Sequence, residues 1–107
     1  MNVYDHAHQL SRAIKDSREY RVFKKLDDEI ASNPKLKGLI DDFRKKQYEI
    51  QSLQMMGKEI DEGMAKELQD LFEVIGKDPR AMEYFDAEMR LSQMMADVSK
   101  IITDAMS

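Results

Sequence analysis

Apolar residues recur along this chain at spacings of three and four, and nowhere do they alternate with polar ones over a strand's length. That period is helical, and five segments follow from it. The first, about residues 3–15, lines up Val3, Ala7, Leu10 and Ile14 on one stripe, with Asn2 as N-cap. Asp16 or Ser17 starts the second, about 17–31, and Asp16 with Glu19 three residues later resembles a capping box. This segment is set to bury Tyr20, Phe23, Leu26 or Asp27, and Ile30; one continuous helix bent near residue 16 satisfies the same pattern. Asn33-Pro34, a cap followed by proline at the first helical position, opens the third segment, about 34–56. Leu36, Ile40, Phe43, Gln47, Ile50 and Gln54 form a heptad-like seam there, broadened by a second line of Leu39, Phe43, Lys46, Ile50 and Leu53. Gly57 ends it, since glycine tolerates the left-handed backbone favoured at helix ends. Asp61 caps a fourth segment, about 62–75, with Met64, Leu68, Leu71, Phe72 and Ile75 on one face and Gly76 at its close. Asp78-Pro79 repeats the cap-then-proline signal and opens the fifth, about 79–105, with a stripe of Met82, Phe85, Met89, Leu91, Met95, Val98, Ile102 and Ala105.

The expected fold is therefore all-α, an antiparallel long-helix bundle with shorter flanking helices, formed by residues 1–107 as one domain. The fifth helix spans about 40 Å and the third about 35 Å at ~1.5 Å per residue. A ball of this chain length has a radius of gyration near ~13 Å. Two such helices, apolar along most of one face, carry more greasy surface than the remaining chain covers. A second copy is the simplest cover, so a homodimer or higher homo-oligomer is expected. Its expected contact residues are Phe43, Ile50, Leu53, Phe85, Leu91, Met95, Val98 and Ile102. The rival is a monomer in which the short helices shelter both long ones.

Composition adds limits. Scarce glycine (4) and proline (2), with 36% charged and 42% hydrophobic residues, exclude a collagen-like or disordered chain. The absence of cysteine excludes disulfides, thiolate metal sites and cysteine catalysis. The start, MNVYDHAHQL, has no basic run before an apolar core, and no stretch approaches the ~20 apolar residues of a membrane span. A cytoplasmic location and no membrane partner are expected. The net charge of −4 argues against bulk nucleic-acid binding, but the charge is uneven. Residues 12–25 hold six basic and two acidic side chains, and residues 59–88 hold ten acidic and three basic. Such a split suits packing within the chain, self-association or a partner contact, beside the plainer reading of solvated helix faces.

Little in the chain looks catalytic. His6 and His8 lie about 200° apart on a helix, and the tandem pairs Asp27-Asp28 and Asp41-Asp42 diverge by about 100°, so neither set converges on a metal. No nucleophile elbow, glycine-rich phosphate loop, HExxH or EF-hand pattern is present. Neither an enzyme nor a cofactor or metal site is expected. Two features stand out as candidate partner-binding sites. Arg18, Arg21 and Lys25 share one helical face suited to phosphates or to an acidic protein segment. Met55 and Met56, of nine methionines in all, sit beside Gly57 at a helix tip, and methionine suits adaptable binding surfaces.

The opening VYDHAHQLSRAIKDSREYRVFKKLDDEIASNPKLKGLIDDFRKKQ and the closing AMEYFDAEMRLSQMMADVSKII resemble the YlbF/YmcA family, in particular its small YheA-like members. The resemblance covers nearly the whole chain and rests on helix-packing patterns. It implies an all-helical protein that dimerises or assembles further. It also implies a regulatory role in competence, sporulation and biofilm formation, exercised through a complex acting with an endoribonuclease in messenger RNA processing. Some members bind iron–sulfur clusters through cysteines; this chain has none, so that property does not carry over. The function expected is a non-catalytic helical adaptor or scaffold, with proteins of an RNA-processing complex as further partners. The alternative is a direct RNA-binding protein using the basic face of residues 12–25.

Overall fold

Helices begin in this chain where a short polar side chain can take a free backbone N–H. Asn2 accepts from the Asp5 N–H at 2.9 Å and starts α1, Val3–Asp16. Ser17 is extended, with ψ 152°, and breaks the helical run. Its hydroxyl donates back to the Ile14 carbonyl and accepts from the Tyr20 N–H at 3.2 Å, so one side chain closes α1 and opens α2, Arg18–Ala31. The break is thus real and Ser17 is the cap. Asp16 ends the preceding helix instead of forming a box with Glu19; the Ser17 hydroxyl donates backward and accepts forward, whereas a carboxylate can only accept. Asn33 accepts from the Leu36 N–H at 3.2 Å ahead of α3, Pro34–Met55. Asp61 accepts from the Gly63 N–H at 2.9 Å ahead of α4, Glu62–Ile75. Asp78 accepts from the Arg80 N–H at 3.0 Å at the start of α5, Pro79–Asp104. The computed structural model describes residues 2–106, and no strand occurs among them.

Two glycines stop helices for different reasons. Gly57 has φ +74°; its N–H reaches the Gln54 carbonyl at 3.0 Å, and the Lys58 N–H reaches the Leu53 carbonyl at 2.9 Å. This is the Schellman arrangement, which satisfies carbonyls that the end of α3 would leave bare. Gly76 stays right-handed at φ −65°, and a Cβ there would sit 3.2 Å from the Phe72 carbonyl oxygen. The Gly57 position gives a clean test. A Cβ on Gly57 meets nothing within 4 Å, so Gly57→Ala pays only for its backbone angle. It should lower stability by about 1–2 kcal/mol in chemical denaturation, and an unchanged midpoint would contradict the left-handed assignment.

Contacts gather into two units, one holding the described residues up to Asp28 and from Glu83 onward, the other Glu29–Met82. In the second, α3 and α4 run antiparallel: Phe43 meets Phe72 with ring centroids 5.8 Å apart, and Lys46 is bonded to Glu67. Its buried side chains are Ile30, Leu36, Ile40, Ile75 and Ala81. Of the two apolar lines expected on α3, the chain covers the second toward the helix end. Lys46, Ile50 and Leu53 are half-buried, while Gln47 and Gln54 face solvent. A strict heptad drifts by roughly 20° per repeat on a straight helix, so the seam that starts at Leu36 and Ile40 slides onto the neighbouring line. In the first unit, α2 and α5 meet where Phe23 stacks on Tyr84, with centroids 5.4 Å apart and planes 24° apart. Leu26, Tyr84 and Ala87 are its buried residues, whereas α1 buries none completely.

Candidate functional site

The second half of α5 follows an apolar period that its own unit covers only in part. Leu91, Met94 and Val98 are half-buried. Beside them Met95 is 39% exposed, Ile102 56% and Ile101 71%. Met95, Val98 and Ile102 recur at three and four, and Ile101 lies three residues beyond Val98, so these side chains adjoin along one flank. Isolated apolar residues on a surface are ordinary; a run along successive turns of one helix is what marks a contact face. In the same unit Val3 and Tyr4, at the start of α1, are also largely in solvent.

The expected contact residues thus fall into two groups. On α3, Phe43 places its ring against Phe72, and Ile50 and Leu53 are half-buried on the line that holds Phe43 and Lys46. This group is engaged at least partly within the chain. On α5, Phe85 is half-buried beside Tyr84, with centroids 5.9 Å apart, and Leu91, Met95, Val98 and Ile102 form the open flank. Sequence reasoning passed over Ile101, although its spacing from Val98 was the available signal. It also passed over Tyr4, which lies off the α1 stripe.

Met55 and Met56 stand at the end of α3, Met55 88% exposed, next to the left-handed Gly57 that turns the chain away. Arg18, Arg21 and Lys25 all point to solvent on α2, and Arg21 Nε lies 3.4 Å from the Ser17 carbonyl. Arg18 also lines a shallow groove between α2 and α5 with Glu19, Val22, Leu26, Glu83, Asp86, Ala87 and Arg90. The basic face is therefore bordered by carboxylates.

Other ionic contacts lie on the surface. The Glu67 carboxylate beside Lys46 holds that ammonium's pKa above its usual value through a hydrogen bond. Asp28, 3.3 Å from Lys24, does the same for Lys24. Hydrogen bonds from the Arg80 side chain and backbone N–H hold Asp78 below the ordinary carboxylate value. A group whose folded pKa is depressed contributes stability that is present above its unfolded pKa and lost as pH falls through the folded one. Asp78→Asn keeps the helix cap and removes the charge. The variant should therefore melt below the parent at neutral pH, and the gap should begin to narrow as pH falls toward about 3.8, the ordinary carboxylate value, and close below the depressed folded value. A gap that persists in acid would refute the ion-pair origin.

Among the described residues, no three His, Asp or Glu side chains gather as metal ligands, and no helix is long and apolar enough to cross a membrane. Comparison with known proteins bears on what such a molecule does. The chain is 41% identical over 104 residues to a UPF0342 protein of Caldicellulosiruptor bescii, spanning 97% of this chain and 87% of that one. It is 39% identical over 103 residues to a UPF0342 protein of Symbiobacterium thermophilum, spanning 96% and 92%. A solved structure described as a protein of unknown function (DUF964) from Bacillus stearothermophilus has the same helical fold. Its TM-score is 0.79 at 18% identity, with 97% of this chain and 91% of that one covered. None of these descriptions names a reaction. The family model described as control of competence regulator ComK, YlbF/YmcA matches residues 3–107, and the chain accordingly belongs to the YlbF/YmcA family.

Proposed function

We propose that this protein is a non-catalytic helical adaptor that works as a homo-oligomer in regulation of the kind its family description names, the control of competence regulator ComK. The observation that carries the reading is the open flank of α5, where Met95, Ile101 and Ile102 stand in solvent beside half-buried Leu91 and Val98. Water penalises that arrangement. Fully burying one isoleucine side chain is worth roughly 1.5–3 kcal/mol, and a twofold pairing counts each residue twice. A second copy is the favoured cover because its own α5 offers the same apolar run. An adaptor needs no cleft with converging acid and base; it needs faces, and α5 and the α3 tip supply them. Proteins of an RNA-processing complex fit as further partners through the charged faces. This reading is preferred to direct RNA binding because carboxylates border the Arg18–Arg21–Lys25 face and no aromatic stacking platform accompanies it. Sedimentation at micromolar concentration tests the assembly. A dimer or larger species is expected, and a clean monomer would overturn it.

A further inference from the structure

The groove between α2 and α5 is lined by both signs of charge, and the helix faces that flank it differ in sign, basic on α2 and acidic on α5. On the α2 side Arg18 lines it, and Arg21 and Lys25 continue the same exposed face, against one carboxylate, Glu19. On the α5 side stand Glu83 and Asp86, against one guanidinium, Arg90, whose Nε is bonded to Asp86 at 2.8 Å. The floor is Val22, Leu26 and Ala87; of these only Val22 is substantially exposed. We infer that this groove is a second self-association face, separate from the open flank of α5, in which α2 of one copy lies on α5 of another.

The charge pattern selects the occupant. A nucleic acid would meet the Glu83–Asp86 wall and be repelled there. An acidic peptide meets the same obstacle, and a basic one is repelled by α2. What matches a surface split into a cationic and an anionic strip is a surface split the same way, and this chain carries one. Symmetry then fixes the arrangement. A twofold axis lying along the groove sets each cationic strip on the partner's anionic strip, and does so twice. A twofold axis across the groove would set cations on cations. With so thin an apolar floor, opposite charge supplies most of the attraction, so the contact is steered by long-range fields and weakened by salt.

Sedimentation velocity on the full chain between about 50 mM and 500 mM salt reads this directly. A larger species should lose at least about tenfold in association over that range. A size distribution unchanged by salt would overturn the inference without touching the proposed apolar pairing, which salt does not weaken. Charge exchange gives the second arm. R21E/K25E makes both strips acidic, and E83K/D86K makes both basic. All four positions are exposed, and helix content measured by circular dichroism confirms that each variant folds. Each variant alone should lose the salt-sensitive species, while an equimolar mixture should form a one-to-one pair, since both of its contacts are then opposite in sign. Failure of the mixture to pair would overturn the arrangement. Loss of the apolar dimer in I101D/I102D, with salt-sensitive pairing retained, would show that the two faces act independently.

Discussion

Replacing Ile75 with alanine should cost about 2–5 kcal/mol of stability. Ile75 is fully buried at the last turn of α4, next to the Gly76–Asp78 link where α5 begins. Four other side chains are buried in its unit, so little spare material exists to collapse into the space that three lost carbons would leave. A domain of this size is held by only about 5–15 kcal/mol in total, so the loss removes a large share. Ile75→Asp should abolish the fold of this unit, because a carboxylate there has neither water nor a partner. Urea unfolding followed by circular dichroism checks both. A midpoint for Ile75→Ala within a few tenths of a molar of the parent would mean that the site is not the packed centre its burial indicates.

The second large effect concerns assembly. I101D/I102D should leave the protomer helical while weakening the apolar self-association, read at about 500 mM salt, by a factor of about 100 or more, since pairing through α5 would then bury unmatched carboxylates at a cost of several kcal/mol. The exposure of both residues in the protomer is what separates the two effects: there the new charges face water. Val98→Asp is the contrasting variant. Val98 is already half-buried, so this change should lower both the melting temperature and the assembly. Sedimentation equilibrium with parallel melting curves distinguishes them. A double variant that still assembles with parental affinity would remove α5 from the proposed contact.

The starts of α1, α3, α4 and α5 were legible from the sequence. Asn2, Asn33, Asp61 and Asp78 are local devices whose oxygen needs only a backbone N–H two or three residues away, and no tertiary information enters. The 16–17 junction was legible only as an ambiguity, because the apolar stripe runs through it and the choice between Asp16 and Ser17 turns on a backward bond to the Ile14 carbonyl. The switch of seam on α3 was harder. Both lines were readable, but which one is covered depends on where α4 lies, and the Phe43–Phe72 contact joins residues far apart in the chain. The candidate site shows the same division. The α5 stripe follows from spacing alone, whereas its degree of cover does not. The α2–α5 groove was present in the sequence only as an excess of basic residues early and acidic ones late. Pairing Arg18 with Glu83 and Asp86 across one groove requires the fold.

The single extended residue at Ser17 has a thermodynamic consequence. It separates α1 from α2: of the fourteen residues of α1 none is fully buried, and only Leu10 and Ile14 are half-buried. A helix of that length is marginal in water on its own, so α1 occupies the lowest rung of local stability in the molecule. A surface that covered Val3 and Tyr4 would therefore also stabilise α1, because binding that favours the wound helix shifts its local equilibrium by mass action.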